Sequence, residues 1–132
     1  MSYIGPVQKN ALENANFRKV LFTGQKSQLV IMNIPRGGEI GEETHAHVEQ
    51  TLFILSGTAE TILDGVATPV GAGDAIVVTP GTRHNIRNTG GDPLHIVTVY
   101  APANHIDGRI HATKADADAD DGDEAFGHAI GA

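Results

Sequence analysis

The sequence predicts an all-β domain, a sandwich or a barrel, and three observations support this class. Short runs of Val, Ile, Leu, Thr and Phe recur between residues 18 and 100. Turn signals rich in Gly, Pro, Asn and Asp separate these runs, as the short strands of a sandwich or barrel require. The chain has 132 residues with 16 glycines and 6 prolines, and it shows no repeat of fixed period. This length and pattern fit one turn-rich domain.

Seven runs are predicted as strands: residues 18–23, 28–34, 51–56, 58–63, 75–78, 84–88 and 94–100. The dipeptide Asp64-Gly65 follows the fourth run and is a strong signal for a type I′ hairpin turn. Before the first strand, residues 10–16 are predicted to form one helical turn. Residues 1–132 are therefore interpreted as a single domain, with a barrel at about 18–101 and short extensions on both sides.

The extension after the barrel, residues 102–132, ends in an acidic tail. Thr113 is a good N-cap and acids follow it, so a short helix is predicted over residues 113–119. The remaining residues are expected to form a solvated tail. His105 and His111 flank an Asp107-Gly108 turn, from which they could fold back over an opening of the barrel.

Composition excludes several classes of protein. The chain has no cysteine, which excludes a disulfide scaffold, a thiol nucleophile and a thiolate zinc site. A net charge of −7 argues against nucleic acid as a partner, because phosphate binding needs a basic face. The apolar runs are far shorter than a membrane span, and the first residues lack the apolar core of a signal peptide. We therefore expect a cytoplasmic protein without membrane or nucleic-acid partners.

Histidines in two separate segments predict a metal site. In an extended strand His45 and His47 would project from the same face, where their ring nitrogens could share one metal ion. His84 begins a second strand just after a Pro-Gly turn and could supply a third nitrogen. Glu43 shares strand parity with the histidine pair and could act as a general base on a bound substrate. A charge that simply faces solvent is the alternative reading of Glu43.

Together these segments resemble the two motifs of the cupins, over about residues 25–101. The first motif, a His-x-His pair followed by Glu and later Gly, is matched by His45, His47, Gln50 and Gly57. The second, a Gly-Pro-Gly-His-Asn pattern, is matched by Gly73, Thr79, Gly81, His84 and Asn88, with Thr79 at the proline position. The resemblance implies the cupin double-stranded β-helix, a jelly-roll barrel. It also implies one divalent transition metal ion, of zinc, nickel, iron, manganese or copper, held by His45, His47, Gln50 and His84.

Gln50 is a departure from the family pattern, which has Glu at this position. Glu49 lies next to it, and strand periodicity alone leaves both residues open as the inward one. Counting back from Gly57, as the family pattern does, favours Gln50. A neutral amide would leave more of the ion's charge uncompensated. This weakens metal affinity and favours Lewis-acid catalysis over redox chemistry.

The resemblance implies an enzyme that acts on a small polar substrate such as a sugar, sugar phosphate or sugar acid. More loosely, the chain is similar to small bacterial cupins related to the cupin-type mannose-6-phosphate isomerases, which favours isomerase-like chemistry. A cupin dioxygenase and a non-catalytic metal- or ligand-binding module are the alternatives. Cupins commonly pair through their sheets, so a homodimer is expected, with one terminal segment crossing to the partner.

Overall fold

Two antiparallel β-sheets face each other in the computed structural model, which describes residues 1–131. The strands are β1 (Arg18–Thr23), β2 (Gln28–Ile34), β3 (Glu49–Ser56), β4 (Thr58–Leu63), β5 (Val66–Gly71), β6 (Ala75–Val78), β7 (His84–Asn88), β8 (Leu94–Ala101) and β9 (Ile110–His111). The larger sheet has the order β6-β3-β8-β2-β1-β9, and the smaller has the order β5-β4-β7. All seven predicted strands are present, so the all-β prediction is confirmed.

The hairpin between β4 and β5 turns at Asp64 and Gly65. These residues have φ values of 48° and 82°, the two positive values that a type I′ turn requires, so the predicted hairpin is confirmed. The sequence does not predict β5 itself, because its residues show no apolar alternation and include Pro69. In the structure β5 is an edge strand, where a proline costs the ladder little.

Alternating apolar side chains from both sheets fill the barrel. Val30, Met32 and Ile34 of β2 meet Leu52 and Ile54 of β3 in one buried cluster. Burying each such side chain contributes about 1.5–3 kcal/mol, so this alternation fixes which face of every strand points inward. The same inward rows carry polar residues at one end: Gln28, Tyr100 and Gln50 lie in register across β2, β8 and β3, and all three are buried.

The last residue of each motif, Gly57 in the first and Asn88 in the second, has a clear structural role. Gly57 has φ of +100°, and a Cβ there would lie 3.1 Å from a Leu94 side-chain carbon, so only glycine fits this turn. The Asn88 side chain donates to the carbonyls of Ile34 and Asp92, at 3.0 and 2.9 Å. It thereby ties the end of β7 to the turn before β8.

The N-terminal helix corrects one prediction. Helix α1 spans Val7–Glu13 rather than residues 10–16, and it packs Ala11 against Ile31 and Val97 on the outer face of the larger sheet. The His95 ring nitrogen Nδ1 lies 2.9 Å from the carbonyl of Ala11, which anchors the C-terminal end of α1. The apolar outer face of β2 and β8 thus explains why the segment docks where it does.

The C-terminal extension departs further from expectation. Helix α2 (Lys114–Asp118) begins at Thr113, whose hydroxyl accepts from the Asp116 amide, as predicted. The residues beyond it form a third helix, α3 (Asp121–Gly131), instead of a solvated tail. The prediction was wrong because the acids have partners: Asp120 pairs with Arg109 and His111, and Asp123 pairs with His105.

Both terminal segments pack on their own barrel in the single chain, and the crossing of a terminal segment to a partner stays a prediction. The homodimer itself stays a prediction. Over residues 1–131, no helix combines the length and apolar character that crossing a membrane demands.

Candidate metal centre

The chain between β2 and β3 runs antiparallel beside β7 and is fastened to it by backbone hydrogen bonds. Glu43 and His84 exchange two N–H···O bonds of 2.9 Å each, and the Ile40 amide donates to the Ile86 carbonyl at 2.9 Å. The Gly81 amide donates to the His45 carbonyl at 2.7 Å. These bonds hold Glu43 and His45, two residues apart on one extended segment, against the first residue of β7.

Three side chains converge there. Donor atoms of Glu43, His45 and His84 all lie within 4.8 Å of one another. The Glu43 Oε2 and His45 Nε2 atoms are 3.1 Å apart. Two ligands that share one ion at bond lengths of about 2.1 Å stand roughly 3 Å apart, so this spacing fits joint metal ligation as well as a hydrogen bond.

His84 is oriented as a metal ligand is. Its Nδ1 donates to the Thr82 carbonyl at 2.9 Å, which fixes the tautomer and leaves a lone pair on Nε2. That Nε2 is buried and has no hydrogen-bond partner within residues 1–131. Burial also lowers the pKa of His84, so the ring is neutral at physiological pH. An imidazole held this way can accept a metal ion without first losing a proton.

Glu43 supplies the negative charge of the cluster. Burial alone would raise the pKa of this carboxyl, but the hydrogen bond from His45 and the charge of Arg18 outweigh burial and lower the pKa below its usual value. Glu43 is therefore an ionised carboxylate beside two imidazoles. Its role as a general base stays a prediction.

His47 does not join the cluster of Glu43, His45 and His84 in this structure, and its role as a metal ligand stays a prediction. The strand ends before it, and a bend at residues 46–47 turns the chain into β3. The bend breaks the alternation on which the expectation depended: His47 is exposed, and Val48 takes the buried position instead. The third member of the cluster, beside His45 and His84, is Glu43 instead of His47.

The structure separates Gln50 from Glu49. Gln50 is 3% exposed and faces the barrel interior, whereas Glu49 is exposed. The Gln50 amide nitrogen lies 3.1 Å from the Thr98 hydroxyl, which donates its own proton to the Thr51 carbonyl. The Thr98 hydroxyl must therefore accept its hydrogen bond from Gln50, which identifies the Gln50 atom that faces Thr98 as the amide nitrogen. The amide oxygen points away from Thr98. Ligation through that oxygen stays a prediction.

A cavity of about 780 Å³ opens beside the cluster. Its walls include Glu43 and His45, together with Arg18 from β1, His105 from the loop after β8 and Asp123 from α3. Imidazole and carboxylate donors suit zinc, iron, nickel and manganese, so the side chains present fit a divalent transition metal. The site therefore combines a metal-ligand set with room for a small molecule.

Sequence reasoning missed two residues of this cavity. Arg18 was counted only as the start of a strand, although it shares inward parity with Val20, and a charge at such a position is the signal. Asp123 was placed in a solvated tail, yet it is buried and holds His105. His105 does fold back over the barrel opening, as its turn suggested.

Comparisons with known proteins agree with this architecture. A family model described as a cupin domain matches residues 30–100. The uncharacterised protein YrkC of Bacillus subtilis is 37% identical over 121 residues, which is 87% of this chain and 65% of that protein. The chain thus spans about two thirds of the length of this relative.

Two solved structures extend the likeness to three dimensions. A crystal structure from Bacillus halodurans matches with a TM-score of 0.88 and 34% identity, over 90% of this chain and 95% of that one. A predicted oxalate decarboxylase from Thermotoga maritima matches with a TM-score of 0.62 and 25% identity, over 65% of this chain and 79% of that one. On its motifs, its fold and these matches, the chain belongs to the cupin family.

Proposed function

We propose that this cupin is a metal-dependent enzyme that acts on a small polar molecule in the cavity beside Glu43, His45 and His84. The observation that carries the proposal is the His84 ring, buried and neutral, with an unpartnered Nε2 beside an ionised carboxylate. Leaving a buried polar atom without a partner costs about 1–3 kcal/mol, and a metal ion removes that cost.

Each side chain has a defined part in this proposal. Glu43 brings the negative charge, His84 brings a neutral nitrogen, His45 brings a second imidazole nitrogen, and Gln50 offers an amide oxygen from β3. The Tyr100 ring packs edge-on against both His45 and His105. Its centroid lies 6.4 Å from that of His45 and 4.9 Å from that of His105. A bound divalent ion supplies Lewis-acid polarisation of a substrate carbonyl or hydroxyl.

The chemistry that fits best is isomerase-like, on a sugar, sugar phosphate or sugar acid. The acidic cluster and the polar cavity support a substrate with several oxygens. The Thermotoga maritima relative, described as a predicted oxalate decarboxylase, supports the acid members of this group, since oxalate is a small carboxylate. The dioxygenase alternative also has support in the side chains of the site, because two histidines and one carboxylate form the ligand set of many non-haem iron oxygenases.

Elemental analysis of the purified protein tests the metal centre. We expect about one divalent transition metal ion per chain in the wild type and a large loss in His84→Ala and Glu43→Gln, because each variant removes one donor. His47→Gln is the matched control, since this exposed histidine lies outside the cluster, and it should retain the metal. Loss of metal in His47→Gln with retention in Glu43→Gln would overturn the assignment.

A turnover assay tests the enzyme. The metal-loaded protein is incubated with sugar phosphates and uronates, and product is followed by NMR. We expect conversion of at least one compound and none by His84→Ala. A protein that keeps its metal but converts none of them would support the binding-module alternative instead.

A further inference from the structure

Arg18 is a buried cation that has no ionic partner among the described residues. It is 4% exposed, and its Nε is buried with no hydrogen-bond partner among the described residues. Within residues 1–131, no carboxylate lies within 4.0 Å of its guanidinium. The Phe17 ring packs against it, 5.3 Å from the guanidinium carbon. Buried charges are normally paired, so this one indicates a missing anion.

The carboxylates that share the cavity with Arg18 are committed to other groups. Glu43 is hydrogen-bonded to His45 at 3.1 Å. Asp123 accepts from the His105 Nδ1 and from the Ile106 amide, each at 2.7 Å. Arg18 lowers the pKa of both carboxyls, which shows that its charge is felt across the cavity without a direct contact. The Tyr100 hydroxyl also lies at the guanidinium, but the Arg18 Nε has no partner among residues 1–131 and can donate its proton to a bound molecule.

The charge of the cavity favours an anion once the metal centre is filled. A divalent ion and Arg18 carry three positive charges, one more than the two negative charges of half-buried Glu43 and buried Asp123. Four further carboxylates line the cavity at its rim, and three of them lie beside a basic side chain: Glu42 beside Arg83, Glu39 beside Arg87 and Asp118 beside Lys114. The fourth, Glu124, is exposed to solvent and lies beside His128. A monoanion can therefore enter and neutralise the interior.

His105 offers the complementary group. Because ionised Asp123 accepts its Nδ1 proton, the lone pair of the ring is on Nε2. This Nε2 is buried and has no partner in the part of the chain that the structure describes. A lone pair in this position accepts a hydrogen bond, and a substrate hydroxyl is the natural donor.

We propose that Arg18 and His105 form a binding subsite for a small hydroxycarboxylic acid. Its carboxylate pairs with the Arg18 guanidinium, and a hydroxyl of the same molecule donates to Nε2 of His105. The inference rests on the proposed function, since it concerns the same cavity, and it narrows the substrate from small polar molecules to hydroxy acids, sugar acids included.

Calorimetric titration of the metal-loaded protein tests this subsite with matched pairs of compounds. D-glycerate is compared with glycerol, and D-gluconate with sorbitol, at equal ionic strength. We expect at least one acid to bind at least tenfold more tightly than its alcohol. Arg18→Met should abolish this preference, because it removes the charge and all donors but keeps an apolar stem.

A second comparison addresses the hydroxyl. D-glycerate is titrated against propionate, which keeps the carboxylate and lacks the hydroxyls. The wild type should prefer D-glycerate, and His105→Asn should lose that preference, because asparagine can still donate to Asp123 but has nothing equivalent to Nε2. Lys19→Met is the control for charge: Lys19 follows Arg18 on β1, is only half-buried and does not line the cavity. It should leave all affinities unchanged.

Equal binding of acids and alcohols by metal-loaded wild type overturns the subsite, as does unaltered acid binding by Arg18→Met. If Arg18→Met does not fold, the wild-type comparison and His105→Asn decide. The metal content of the same samples is measured separately. Metal without acid preference defeats only the subsite, whereas absence of metal defeats the proposed function.

Discussion

At position 50 the chain has an amide, and at position 49 a carboxylate, and burial decides which one faces the barrel interior. Gln50 is buried and oriented by Thr98, while Glu49 is exposed at the start of β3. Gln50→Glu places a negative charge beside the proposed ion, and a gain of about 1–2 kcal/mol, roughly fivefold to thirtyfold in affinity, follows from Coulomb attraction at a partly screened site. Chelator competition measures this gain.

Three further substitutions serve as controls for that experiment. Glu49→Gln should leave metal affinity unchanged, and His84→Ala should lose more metal than Gln50→Ala, because an amide oxygen is the weaker ligand. Loss of the metal in Glu49→Gln, with retention in Gln50→Ala, would show that the carboxylate is the ligand.

The metal cluster shows how far sequence alone reaches at the level of residues. Parity along the chain placed Glu43 on the same side as His45, and the structure brings both to His84. The same rule failed two residues later, because a bend at 46–47 ends the alternation. A bend made by ordinary residues, without Gly or Pro, leaves no signal in the sequence.

At the level of elements, strands were easier to predict than the C-terminal helices. The predicted bounds of β1, β2, β4, β6 and β7 agree with the structure, since clear turn signals flank each of these short runs. Helix α3 was not predicted, because its sequence is rich in Asp, Ala and Gly. Its position depends on ion pairs with the rest of the fold: Asp123 contacts His105, and Asp120, just before the helix, contacts Arg109 and His111. Local helix propensity does not report such contacts.

Asp123→Asn tests what holds α3 in place. The change weakens two charge-assisted hydrogen bonds, to His105 and to the Ile106 amide, and should cost about 1.5–3 kcal/mol of unfolding free energy. Chemical denaturation measures this loss, and hydrogen exchange should show earlier opening of α3. Asp121→Asn, an exposed acid in the same first turn, should cost less than about 1 kcal/mol. Equal losses in the two variants would contradict the buried pairing.

For the molecule as a whole, buried His105 makes the free energy of unfolding depend on pH. His105 packs among Asp123 of α3, Arg18 of β1, Tyr100 of β8 and Glu43 beside β7. Burial lowers its pKa most and Arg18 adds to that, while Asp123 and Glu43 raise it, with a net lowering. The native ring therefore stays neutral in a pH range where the unfolded chain is already protonated.

The sign of the effect on stability follows from proton binding. Above the ordinary histidine pKa of about 6.5, neither state binds a proton at this position, and His105 adds no pH dependence. Below that value the unfolded state binds one proton more than the folded state. The free energy of unfolding therefore decreases as the pH is lowered, by up to about 1.4 kcal/mol per pH unit, until the lowered native pKa is reached. Urea unfolding at pH 7.5, 6.5 and 5.5, with chelator present because metal binding is itself pH-dependent, should show this fall in the wild type. His105→Asn should show a shallower slope, since the other histidines contribute equally to both proteins. A variant whose slope equals that of the wild type would mean that His105 is protonated as readily in the folded protein as in the unfolded one.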